Sequence, residues 1–153
     1  MAASATNGTG RGREDAYPTC RFYVQIDNSM HALFTEASGL EVTVTPFPVE
    51  EGGVNGFVHQ LPGRTEVGKL TLRRGMTRSH EFMKWMLDVA SGKIVRRNIT
   101  LVMYDTKLQV VARWNFRLAY PVKWSGPQFK ATSNESAVES LELAHEGVEL
   151  MSG

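Results

Sequence analysis

From Arg21 the chain alternates apolar and polar side chains, so that Phe22, Val24 and Ile26 fall on one side of an extended backbone and Tyr23, Gln25 and Asp27 on the other. That period of two predicts a strand with one buried face. The rhythm returns in LEVTVT, with Leu40, Val42 and Val44 expected inward, and in KLTLRR, with Leu70 and Leu72 inward. Further strands are predicted for NITLVMYD and for the long run LQVVARWNFRLAYPVKW. In that run Val110, Ala112, Trp114, Phe116 and Leu118 share a face until Pro121 ends or bends it. In the last strand Leu141 and Leu143 have one parity and Val148 and Leu150 the other, which predicts a bulge near Glu146 and Gly147.

One segment changes period. Phe82, Trp85, Met86 and Val89 stand at i, i+3, i+4 and i+7, the spacing of one apolar helix face. Ser79 is the predicted N-cap and Gly92 the predicted left-handed stop. Pro46 and Pro48 lack the amide hydrogen that a central ladder requires, and the glycines of EEGGVNGFVHQLPG follow, so 46–63 is predicted as a long, mobile projecting loop. Residues 1–18 are small and polar and are predicted as a flexible arm ahead of a single domain at 19–151. The predicted fold is mainly β, an antiparallel β-sandwich or partly closed β-barrel with one α-helix inserted at mid-chain.

Composition narrows the chemistry. A chain of 153 residues suits one domain. No apolar run approaches the roughly 20 residues of a bilayer span, so no membrane insertion is expected, and the first residues lack a secretory apolar core, which points to synthesis and assembly in the cytoplasm. Cys20 is the single cysteine, which excludes an internal disulfide and a cysteine zinc cluster. The net charge is only +1, yet 61–98 is basic, with Arg64, Lys69, Arg73, Arg74 and Arg78 at its start, while 131–153 carries only glutamates. This asymmetry fits either two solvated faces of a monomer or two surfaces that meet between copies.

LPGRTEVGKLTLRRG resembles a phosphate-cradling loop only superficially. Leu70, not Ser or Thr, follows Lys69, and the next segment reads as a strand, so neither a magnesium-binding hydroxyl nor a helix N-terminus is supplied. The four histidines, at 31, 59, 80 and 145, are scattered, and no G-x-S-x-G elbow occurs. Glu139, Glu142 and Glu146 invite an acid/base reading, but strand alternation separates the first two. No enzyme activity, cofactor or metal is expected. A monomeric polyanion-binding module is the alternative class motivated by the basic middle, although that stretch lacks interleaved aromatics on which bases stack.

LPGR, VGKLTLRRG, EFMKWMLDVASGK, VRRN, ARWNFRLAYPVKWSGP and ESAVESLELAHEGVEL occur in this order. In these motifs the chain resembles the tail-tube proteins of contractile phages and phage-tail-like injection systems, over about residues 18 to 150. It is most similar to inner-tube subunits of extracellular contractile particles of the antifeeding prophage and Photorhabdus virulence cassette type, and more distantly similar to the tube protein of type VI secretion. The resemblance implies hexameric rings stacked into a rigid hollow tube inside a contractile sheath, with baseplate, hub and tube-terminator partners, possible effector cargo, and no required nucleic acid. It further implies a particle either released or acting at a membrane. The extra N-terminal arm and the less charged loop TPFPVEEGGVNGFVHQ depart from the usual pattern. They leave open a baseplate-end tube initiator beside the favoured main tube protein.

The resemblance also suggests where copies would meet. In the projection the candidates are Pro48, Glu50, Glu51, Gly52, Gly53, Asn55, Phe57 and Leu61. Complementary charge between copies would come from Arg64, Arg73 and Arg74 on one side and Glu142 and Glu146 on the other.

Overall fold

A computed structural model describes residues 21–27, 29–31, 34–50, 52–53, 56, 58–132 and 137–151. The predicted arm at 1–18 and Cys20 lie outside the described residues. Among the described residues, ten strands and one helix follow in order: β1 (Arg21–Ile26), β2 (Ser29–His31), β3 (Glu36–Ser38), β4 (Val42–Val49), β5 (His59–Val67), β6 (Leu70–Gly75), α1 (Glu81–Ala90), β7 (Arg97–Tyr104), β8 (Val110–Ser125), β9 (Val138–Ala144) and β10 (Gly147–Met151).

All pairings are antiparallel. One layer runs β2-β1-β7-β8-β10 and the other β8-β9-β6-β3, so the 16-residue β8 belongs to both. The result is an open sandwich, and among the described residues no strand pairing closes it into a barrel. Val24, Ile26, Ile99, Leu101 and Phe116 from the first layer meet Leu70, Leu72, Leu141 and Leu143 from the second. Each fully buried side chain of this size contributes about 1.5–3 kcal/mol relative to exposure. Helix α1 adds Phe82 and Trp85 to this core, and the Trp85 indole donates to the Val95 carbonyl at 2.9 Å.

The helix begins one residue later than predicted. The Ser79 amide donates to the Thr77 hydroxyl at 3.3 Å, so Ser79 belongs to a turn and His80 occupies the cap position without a side-chain hydrogen bond. Its end is as expected. Gly92 adopts φ +95°, with the Lys93 amide reaching the Asp88 carbonyl at 2.9 Å and the Gly92 amide reaching that of Val89 at 3.1 Å.

Two changes of parity occur where β8 passes from one layer to the other. Leu118 takes φ +51°, so Phe116 is buried, Leu118 is exposed, and Ala119 and Pro121 are buried again. The register against β7 slips at the same place, between Arg97 and Ile99. Pro121 therefore lies inside β8 and does not end it. Opposite this corner, the bulge predicted near Glu146 is instead a break between strands. β9 pairs with the second half of β8 and β10 with the first, and the Glu146 amide bridges the gap to the Arg117 carbonyl at 3.0 Å. Val148 packs against the core, whereas Leu150 is exposed at the sheet edge.

The largest departure concerns 40–67. The predicted loop is in large part a two-stranded hairpin, β4 against β5, that forms a sheet of its own. Pro46 and Pro62 lie opposite each other beside a bulge, a place where a missing amide hydrogen costs little because both strands are edges. Leu40, Val42 and Val44, expected inward, are exposed because this ribbon stands away from the sandwich core.

Candidate subunit interface

The hairpin has two unlike faces. Cross-strand partners share a face: Val42–Val67, Val44–Thr65, Pro46–Pro62 and Pro48–Gln60 lie on one side and Thr43–Glu66, Phe47–Leu61 and Val49–His59 on the other, because the extra residue of the bulge falls in β5 between Thr65 and Pro62 and β4 keeps its alternation. Both faces therefore carry exposed apolar side chains, Val42 and Val44 on the first and Phe47 and Leu61 on the second, and Arg64 is exposed beside the bulge. Phe47 is 60% exposed and Leu61 51%. A two-stranded ribbon is marginal by itself in water, and uncovered apolar side chains add no burial to help it. Pro48 pairs with Gln60 near the tip, and Glu50, Gly52 and Gly53 lie exposed in the turn. Glu51, Asn55 and Phe57 lie outside the described residues.

The charged candidates are arranged differently from expectation. Arg74 is only 3% exposed, and so is Glu139, to which its Nε donates. The guanidinium lies 3.9 Å from the Phe82 ring centre and 5.8 Å from that of Phe34, and Trp124 Nε1 donates to the other Glu139 oxygen at 3.4 Å. Arg74 is thus a core residue of the subunit and not a surface contact. Strand alternation explains it, since Arg74 follows Leu70 and Leu72 on the inner face of β6.

Of the other charged candidates, Arg73, Glu142 and Glu146 pair within the chain, and Arg64 is exposed on the hairpin. Arg73 meets Glu36 at 3.3 Å, Lys69 meets Glu142 at 3.5 Å, Arg117 meets Glu149 at 3.2 Å, and Arg96 meets Glu146. Antiparallel pairing of β6 with β9 brings the basic middle beside the acidic end inside one subunit. Exposed pairs of this kind contribute about 0–1 kcal/mol each, so they orient side chains more than they stabilise the fold.

The three glutamates are dispersed among these partners. Among the described residues no group of three His, Cys, Asp or Glu side chains is placed to hold a metal ion, and no helix is long and apolar enough to cross a membrane. A polar depression on the outer face of the first layer is lined by Asp27, Asn98, Thr100, Asn115 and Met151. Its groups satisfy one another. Asp27 Oδ1 accepts the Asn98 amide at 3.2 Å, Asn98 Oδ1 accepts the Leu118 amide at 3.1 Å, and Thr100 Oγ1 lies 3.4 Å from Asn115 Oδ1.

His145 was not a candidate from sequence, where only its isolation from other ligand-type residues is visible. It closes the gap between β9 and β10, and its Nε2 lies 2.7 Å from the Gly68 carbonyl at the base of the hairpin.

An open two-layer sandwich with short edge strands and a projecting ribbon leaves ladder edges and large apolar side chains uncovered in the single chain. The chain belongs to the T4-like virus tail tube protein gp19 family, whose sequence profile matches residues 18–149. Among solved structures, it superposes on a chain of the extracellular contractile injection system PVC sheath-tube complex in the extended state. That match has a TM-score of 0.80 at 24% identity and covers 97% of this chain and 100% of that one. A chain of the anti-feeding prophage tube-terminating cap gives a TM-score of 0.78 at 24% identity, covering 100% and 95%. Hcp1 from Flavobacterium johnsoniae gives 0.57 at 15% identity, covering 87% and 96%. No curated protein sequence matches the chain.

Proposed function

We propose that the protein is the structural inner-tube subunit of a phage-tail-like contractile injection system. Six copies form a ring, and rings stack into a rigid hollow tube that sheath contraction drives through a target envelope. The observation that carries this reading is the hairpin, whose apolar side chains, Val42 and Val44 on one face and Phe47 and Leu61 on the other, are exposed in the single chain and become buried when neighbouring copies cover them. The short edge strands β2 and β3 and the outer edge of β10 are closed by strands of adjacent subunits in the same ring.

The sheath encloses the tube, and baseplate and terminator proteins close its two ends; in support, the similar solved chains belong to a PVC sheath-tube complex, a PVC sheath/tube terminator and an antifeeding-prophage baseplate. Assembly takes place in the cytoplasm, and the lumen carries effector cargo. The polyanion-binding alternative is not better supported: within the basic middle, Lys69, Arg73, Arg74, Arg96 and Arg97 meet carboxylates of the same chain.

Electron microscopy of the purified protein, alone and with its particle, tests the reading. Six-subunit rings or stacked tubes are expected for the natural chain. Phe47→Glu combined with Leu61→Glu is expected to abolish them while circular dichroism shows a folded subunit. A strictly monomeric natural chain in both preparations, or unchanged tube yield from the double variant, refutes the proposal.

A further inference from the structure

The hairpin joins the sandwich through two chain crossings, Gly39–Glu41 on the way out and Gly68–Lys69 on the way back. The crossings touch. Gly39 has φ +91°, and a Cβ there would lie 1.8 Å from the Lys69 carbonyl oxygen, so only glycine permits this approach. The Gly68 amide donates to the Glu41 carbonyl at 3.0 Å, which ties the two crossings to each other. Neither of these contacts ties the neck to the sandwich. The Gly68 carbonyl does, because it faces the His145 ring at 2.7 Å from Nε2.

A carbonyl oxygen only accepts, so Nε2 carries a proton and donates. Nδ1 is buried without a hydrogen-bond partner. The ring is held in place by Phe116, whose edge-on contact has a centroid distance of 5.0 Å and an interplanar angle of 79°. Phe116 is fully buried at the centre of the core. His145 thus connects the most rigid part of the sandwich to the point about which the hairpin would turn.

From this we infer that His145 is a positioning residue that sets the angle at which the hairpin projects. The inference rests on the tube-subunit reading for its consequence in assembly. β4 has 8 residues, and at about 3.3 Å per residue its tip lies roughly 26 Å from the neck. A swing of about 10° at the neck moves that tip by about 4.5 Å, more than the ~4 Å reach of an apolar contact. Without the latch, Phe47 and Leu61 are presented over a range of directions, and few of these match a fixed neighbour.

The test measures hairpin direction and assembly separately. In a Cys20→Ser background, spin labels at Gln60→Cys and Lys107→Cys report the hairpin-to-sandwich distance in the monomeric fraction. His145→Ala is expected to broaden that distribution at least twofold and to slow tube formation at least tenfold. His145→Gln, whose amide N–H can also donate to the Gly68 carbonyl, is expected to restore much of both. An unchanged distance distribution in His145→Ala refutes the inference, and so does tube formation at the natural rate. If His145→Ala does not fold, a His145→Gln distribution as narrow as the natural one supports the inference and a broad one overturns it. Failure of the natural chain to form tubes refutes the tube reading alone, because the distance measurement still decides the role of His145.

Discussion

Replacing Glu139 by alanine leaves the Arg74 guanidinium in the core with its charge uncompensated. Both side chains are almost fully removed from water, and Arg74 Nη2 already lacks a hydrogen-bond partner, so no bond remains to take over the lost one. Trp124 Nε1 loses its acceptor as well. Breaking a buried pair from one side costs about 3–5 kcal/mol. For a domain of this size each kcal/mol moves the melting temperature by about 2–4 °C, which places the fall at about 6–20 °C. The Arg74 guanidinium also stacks on the Phe82 ring at 3.9 Å, and a pair of apolar replacements can occupy the same space. Arg74→Met with Glu139→Leu is therefore expected to recover most of the loss. Urea unfolding should be followed at concentrations where the chain is monomeric, since assembly raises apparent stability. A loss below about 1 kcal/mol for Glu139→Ala, or a double variant no better than the single one, would refute the reasoning.

Two backbone predictions accompany it. Gly39→Ala must place a Cβ against the Lys69 carbonyl at a left-handed φ, and a destabilisation of at least about 2 kcal/mol is expected by the same urea assay. Leu118→Gly relieves a left-handed conformation that costs a leucine about 1–2 kcal/mol, against a glycine entropy penalty of about 0.5–1 kcal/mol. Because Leu118 is exposed, the variant is expected to be neutral or more stable by up to about 1 kcal/mol in thermal melting, and a clear loss would show that its side chain packs.

Alternation identified β1, β6 and β9, and the helical period identified α1, because in each the apolar face is the face that packs on the core. The hairpin shows the limit of that reasoning. Leu40, Val42 and Val44 alternate as well as any buried strand, but periodicity reports that one face is apolar and not which body covers it. Prolines at 46, 48 and 62 then disguised the rest of the ribbon as loop, although edge strands tolerate them.

Arg74 was legible and was misassigned. Leu70, Leu72 and Arg74 keep one parity, as do Leu143, Leu141 and Glu139, and the two series pair across β6 and β9 with Arg74 opposite Glu139. The turn of β8 at Leu118 had no glycine or asparagine to announce it, so its change of face could not be read from composition. Leu61 and Pro48 were placed in the projecting element from sequence, while His145 required the fold, since its partner is a backbone carbonyl 77 positions away.

The long strand shared by both layers bears on how the subunit carries load. In a sandwich whose layers touch only through side chains, shear along the strands is resisted by packing, and the layers slip when that contact yields. Here the covalent backbone of β8 crosses from one layer to the other, and the β9–β10 corner crosses beside it. Slip therefore requires peeling of hydrogen-bonded ladders at Leu118 and Glu146. An axial thrust on one layer is transmitted to the other as tension in a peptide chain, so each subunit meets the thrust as one stiff block.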